Sequence, residues 1–253
     1  MLPTSRHLTR ETNGSDPPPV TILACPVFRA WLEANLPDEH AINVAFLDEG
    51  LHARPANLRH AIQTAIDGLE RPSLVALAYG LCGNGLHGVQ AREHTLLIPR
   101  SPDCIAILLG SHAAYQTQME DEPGTYFLSP GWIASGKNPL DESFALERKH
   151  GAETAAWLMD MQYRHYRRLI LIGQDPQTME AVRPRALEIA EYCARWGMRY
   201  EERLGSGDYL RRLLAGLSDI AEAAAGAGGA VGIGDDFLII APGEEVRQTL
   251  FER

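Results

Sequence analysis

Short stretches of residues that are apolar at nearly every position recur along this chain, separated by segments with helical spacing. Residues 20–24 (VTILA) form the first, and 43–47, 74–78, 95–98 and 105–109 follow. A strand that buries only one face alternates apolar with polar. A run apolar on both faces belongs in a sheet covered on both sides, which means parallel strands joined by crossover helices. Between the runs, residues 28–36 and 55–69 have helical period, the latter with Leu58, Ile62, Ala65, Ile66 and Leu69 on one side. The alternation resumes with a strand at 169–172, a helix at 177–196, a strand at 199–204, a helix at 209–217 and a last strand at 237–241. The pattern predicts an α/β fold of two Rossmann-like lobes with mainly parallel sheets, joined by a long helix, with a cleft between them.

Two stretches break the rhythm. Residues 110–136 read as a long connecting loop with one short extended piece, and loops of that length inside a compact domain are commonly functional. Residues 139–168 read as one helix with Pro139 near its start. The expected division is a disordered tail over 1–19, an N-terminal lobe over 20–136, a connecting helix over 137–168 and a C-terminal lobe over 169–253. Residues 221–234 are Ala/Gly-rich.

Composition removes several function classes. The chain carries 33 acidic and 23 basic residues, a net charge of −10, and the average field repels a phosphate backbone, so nucleic acid is not an expected partner. No run of apolar residues is long enough to span a membrane. The first residues lack the apolar segment and cleavage site of a secretory signal. The expected compartment is the reducing cytoplasm, where four cysteines in 253 residues are read as metal-binding, catalytic or buried rather than disulfide-bonded.

Three of the four cysteines sit where ligands of such folds collect. The first run ends at Cys25. The second is followed by Asp48, Glu49 and His52. The third ends in Tyr79-Gly80-Leu81-Cys82-Gly83-Asn84-Gly85, and the fourth is followed by Arg100, Asp103 and Cys104. The carboxyl ends of parallel strands gather on one sheet edge, where open α/β sheets bind their ligands. Cys25, Cys82, Cys104 and His52 are therefore the candidate metal ligands. Cys₃His is a tetrahedral zinc set, and three cysteines alone suit an iron–sulfur cluster with one open iron. The evidence is topological, since the spacing matches no compact motif. The plainer reading makes the cysteines small buried hydrophobes. Cys193, mid-helix, is structural.

Candidate substrate contacts are Gly83, Asn84, Arg100, Asp103, Ser111, His112, Tyr126 and Trp132. Arg100 would hold a carboxylate or phosphate, and His112 follows a turn near the proposed edge. Tyr126 and Trp132 would form a lid, the plainer alternative being aromatics that pack the lobes together. Gly80-x-x-Gly83-x-Gly85 departs from the dinucleotide fingerprint in spacing. Asp235 and Asp236 read as solvated.

Several elements together carry a resemblance: Leu51-His52-x-x-Pro55, Tyr79-Gly80-x-Cys82-Gly83, Asp103-Cys104-Ile105 with Leu108-Leu109-Gly110-Ser111, and Gly124-Thr125-Tyr126-x-Leu128-x-Pro130-Gly131-Trp132. They resemble an uncharacterised prokaryotic family, a domain of unknown function, found in methanogens and proteobacteria beside corrinoid-dependent methylamine methyltransferases and their reductive activators. The resemblance implies a role in one-carbon metabolism of methylated amines.

The resulting expectation is a metal-dependent enzyme, zinc-thiolate or iron–sulfur, that acts on a small-molecule substrate by methyl transfer linked to a corrinoid system. Asp103 or Asp48 would orient a ligand. Two rivals stand beside it: a non-enzymatic accessory protein that binds a metal or docks a corrinoid protein, and a cysteine-nucleophile enzyme using Cys82.

Overall fold

A computed structural model describes residues 18–36, 42–224 and 234–252. In chain order the first elements are β1 (Val20–Ala24), α1 (Arg29–Asn35), β2 (Ile42–Phe46), α2 (Pro55–Asp67), β3 (Leu74–Ala78) and β4 (Thr95–Pro99). Next come α3 (Cys104–Leu109), α4 (His112–Asp121), β5 (Thr125–Leu128), α5 (Pro130–Ala134), α6 (Pro139–His150) and α7 (Ala152–Tyr163). The chain continues through β6 (Arg168–Gly173), α8 (Pro176–Cys193), β7 (Arg199–Leu204), α9 (Asp208–Ala224) and β8 (Phe237–Ile240). The fold is mixed α/β with two mainly parallel sheets, as the apolar runs predict.

The larger sheet has the order β2-β1-β3-β4-β8, parallel except for β8. β1 and β3 lie at its centre and are buried along their whole length, the burial a two-faced apolar run demands. From β1 the chain steps outward to β2, then crosses back to β3 on the other side. The carboxyl ends of β1 and β3 are therefore a topological switch point, where crossovers leave in opposite directions and open a crevice. The smaller sheet is parallel, in the order β5-β6-β7. Its central strand β6 is wholly buried.

The carboxyl ends of the two sheets meet. A Cβ on Gly131, just after β5, would stand 2.7 Å from the Cα of Val27, just after β1. The N–H of Ser206, after β7, bonds the carbonyl of Leu108 at 3.1 Å. Ile170 and Ile172 of β6 accordingly belong to the same apolar core as the first sheet. A second core lies around Met159, Tyr163, Leu169, Leu171 and Ile189.

Several segments differ from the sequence expectation, each for a physical reason. Residues 105–109 are a helix, not a strand. Asp103 caps its N-terminus and Gly110, at φ 90°, ends it; buried on all sides, it has the same uniform apolarity as a buried strand. Residues 110–136 are not a loop but α4, β5 and α5, the two helices capped by Ser111 and Ser129. The long helix is two, α6 and α7, which turn back on each other at Gly151, whose φ of 83° suits glycine. The lobe boundaries shift as well. β5 belongs to the second sheet. The last strand does not extend that sheet but returns to pair antiparallel with β4, while α9 packs on β3 and β4. Most of the tail expected over 1–19 and of the Ala/Gly stretch lies outside the described residues. Among the described residues no helix is long and apolar enough to cross a membrane.

The seam between the sheets is tightest at Gly205. Its N–H bonds Gly173 at 2.8 Å, and a Cβ there would fall 2.0 Å from the carbonyl oxygen of Leu108. Gly205→Ala should therefore cost about 1–3 kcal/mol in urea unfolding. Gly68→Ala, where the nearest atom to a new Cβ is 3.4 Å away, should change stability by less than about 0.5 kcal/mol.

Candidate functional site: a three-cysteine cluster at the switch point

The switch point gathers the predicted cysteines. Cys25 leaves β1, and its N–H bonds the carbonyl of Ala78 at the end of β3, 3.3 Å away. It then opens the 3-10 turn Pro26–Phe28 and is 1% exposed. Beyond β3 the chain runs beside the exit of β4: Leu81 N–H bonds Ser101 at 2.8 Å and Cys82 N–H bonds Pro102 at 2.9 Å. Only glycine permits that approach at position 80, since a Cβ would lie 2.6 Å from the Cα of Asp103. Cys82 (φ 49°), Gly83 (φ 62°) and Asn84 (φ 72°) then form a left-handed turn. The Gly85 N–H closes it on the Cys82 carbonyl at 3.1 Å. Cys82 holds this unfavourable conformation without being glycine, a strain of about 1–3 kcal/mol that concentrates at functional sites.

Cys104 is the first residue of α3. Asp103 caps that helix, its Oδ1 accepting from Ile105 N–H at 2.9 Å, while its Oδ2 accepts from the Tyr115 hydroxyl at 3.1 Å. No disulfide joins the cysteines. Burial pushes the Cys82 thiol far above the ordinary cysteine range, and charge on Cys25 and Asp103 adds to the effect. The backbone N–H groups of Gly80 and Cys104 face the Cys82 sulfur and pull the other way. Burial likewise raises Cys104 well above the ordinary range, followed by the charges of Cys82 and Cys25. Charge on Cys25 thus opposes ionisation of Cys82, and charge on both opposes that of Cys104. Among the described residues, no group of three or more His, Cys, Asp or Glu is placed so that it could hold a metal ion as it stands.

His52 reaches this region from the 3-10 turn Glu49–Ala53, its ring 6.0 Å from that of Tyr79. Asp48 caps that turn, accepting from Gly50 N–H at 2.6 Å. Trp132 lies on α5, which sits on the turn after Cys25, and packs against the first core. His112 opens α4 with its ring 6.4 Å from that of Tyr115. Ser111 caps α4 at Ala114 N–H, 3.1 Å. Gly83 and Asn84 are exposed on the left-handed turn.

Two expected contacts point elsewhere. The Arg100 guanidinium bonds the carbonyl of Glu252, tying down the C-terminal segment. Tyr126 is not part of a lid. It lies in β5, edge-on to Tyr163 and Tyr166 in the second core, because a β-strand sends alternate side chains to opposite faces. Cys193 is fully buried in that core, and burial pushes its thiol up to about 12.

Sequence reasoning missed Tyr79, Tyr115 and Lys137. Tyr79 is fully buried among the cysteines, and Tyr115 anchors Asp103. The Lys137 ammonium lies beside Gly50. The signal for Tyr79 was its place immediately after β3; the other two carried none.

A family model described as "Protein of unknown function (DUF1638)" matches residues 46–214. That span includes His52, Cys82 and Cys104 and begins after Cys25. No curated protein matches the chain, and no solved structure does.

The Asp103 cap should be measurable. Asp103→Ala should destabilise by about 1–2 kcal/mol in urea unfolding, whereas Asp103→Asn should keep most of the cap. Tyr115→Phe, which loses one hydrogen bond to a carboxylate, should cost about 1.5–3 kcal/mol.

Proposed function

We propose that this chain, which belongs to the DUF1638 family, is a metal-thiolate protein whose centre is held by Cys25, Cys82 and Cys104. The observation that carries the reading is the convergence of three cysteines, Cys25 and Cys104 buried and Cys82 half-buried, from three separate segments onto one switch point. Left as they are, Cys82 and Cys104 resist ionisation. A bound cation reverses that balance, because it displaces the thiol protons and neutralises the thiolates. The donor set fits zinc or an iron–sulfur cluster. Three sulfurs leave one position for His52 or for substrate.

The raised thiol of Cys82 also argues against the cysteine-nucleophile alternative, which needs a depressed pKa.

When bound, the metal supplies Lewis acidity that lowers the pKa of a thiol or other acceptor. The chain's own groups supply the rest. The N–H groups of Gly80 and Cys104 support the Cys82 sulfur, Asp103 and Tyr115 hold the start of α3 in place, and Trp132 shields the turn after Cys25. The reaction we assign is methyl transfer within one-carbon metabolism of methylated amines. In it an acceptor thiol gives up its proton, the sulfur–carbon bond forms as the cobalt–carbon bond of a methylated corrinoid breaks, and the electron pair of that bond stays on cobalt. Support for this setting is the resemblance to proteins found beside corrinoid-dependent methyltransferases. The exposed apolar side chains Phe144 and Trp157 of α6 and α7, 48% and 59% exposed, favour a second reading in which the protein docks a corrinoid protein as an accessory.

Elemental analysis and a visible spectrum of protein purified without oxygen test the centre. Zinc, or iron with sulfide, should accompany the wild type. Cys25→Ser, Cys82→Ser and Cys104→Ser should each lose most of it, roughly tenfold or more in affinity, while Cys193→Ala keeps it. Wild-type protein that holds no metal even after reconstitution overturns the reading. Metal-dependent demethylation of methylcobalamin in the presence of a thiol tests the reaction, and its absence with a loaded centre leaves the accessory reading.

A further inference from the structure

The reading above gives no part to Tyr79, and the following inference rests on that reading. Tyr79 leaves β3 directly, and the register of Ala24 with Ala78 sets it alongside Cys25. Its side chain is fully buried, and its hydroxyl is enclosed with no hydrogen-bond partner. The backbone N–H of Leu47 faces the phenol oxygen, although it is already bonded to the Ala24 carbonyl at 3.2 Å. Even an N–H turned toward the phenol oxygen would leave the hydroxyl's own proton without an acceptor.

A buried donor with no acceptor is destabilising, and native structures keep few of them. An ordinary phenol keeps its proton at physiological pH. The group beside Cys25 is therefore a donor, and thiolates are the acceptors it lacks. While the thiols keep their protons they are poor acceptors. Once a metal displaces those protons, the same sulfurs are anionic.

We propose that Tyr79 is a positioning residue of the centre, its hydroxyl donating a hydrogen bond to a thiolate sulfur once the metal is bound. Such a bond draws electron density from the sulfur. It raises the reduction potential of an iron–sulfur centre and makes zinc-bound thiolates less nucleophilic.

Tyr79→Phe removes only the oxygen and keeps the ring. Wild type and variant, both purified without oxygen, should carry the same metal per chain. With iron, the variant's reduction potential should fall and its visible absorption shift. With zinc, alkylation of the bound thiolates by iodoacetamide should run about five- to tenfold faster, the worth of one hydrogen bond. After the metal is stripped, the variant should be at least as stable as wild type in urea unfolding, because the unsatisfied hydroxyl is gone. Equal metal content with unchanged potential or alkylation rate overturns this inference and leaves the metal-thiolate reading standing. A stripped variant less stable than wild type overturns it too, since the hydroxyl then has a partner within the protein. Wild type that holds no metal overturns both.

Discussion

The approach of Gly80 to Asp103 fixes the geometry of everything around the cysteines. Two strands leaving a parallel sheet ordinarily diverge into their own crossovers. Here the exit of β3 stays bonded to the exit of β4 through Leu81 with Ser101 and Cys82 with Pro102. That is possible because residue 80 has no Cβ to strike the Asp103 backbone. The contact brings Cys82 to the start of α3 and sets Cys104 one residue past a capped helix terminus. Beyond that contact the chain reverses through three left-handed residues.

The cluster shows how a protein can hold potential anions in an apolar setting. Each sulfur alone would be an ordinary buried cysteine, inert and small. Placed together, they make ionisation progressively harder, because the low dielectric that excludes water also lets charges act on one another at full strength. The backbone N–H groups of Gly80 and Cys104 offset part of that effect at Cys82.

Much of this was legible in the sequence because parallel sheets translate chain order into spatial order. A residue just past an apolar run must lie on the carboxyl edge, so Cys25, Cys82 and Cys104 could be grouped without any compact motif. What failed to show was whatever depends on contacts rather than order. A helix buried on every side, such as α3, carries no amphipathic period. The break between α6 and α7 rests on the single residue Gly151. Tyr126 and Trp132 belong to one motif, yet strand pleating sends the first into the second core while the next helix sets the second against the turn after Cys25. Tyr79 drew no role from the sequence because nothing in its neighbours reveals that its oxygen lacks an acceptor. Arg100 read as a ligand-binding cation because its partner, the carbonyl of Glu252, lies far along the chain.

The antiparallel pairing of β8 with β4 bears on the order in which the protein is made. The strands that carry the cysteines are all synthesised early, and domains begin to fold from the N-terminal side as the chain emerges. Of the described strands, the one that closes their sheet is the last to appear. Until it arrives, β4 presents a bare row of N–H and carbonyl groups, the template on which a stray strand of another chain can add. A nascent or shortened chain lacking β8 would hold every cysteine of the cluster and still be prone to aggregate along that edge.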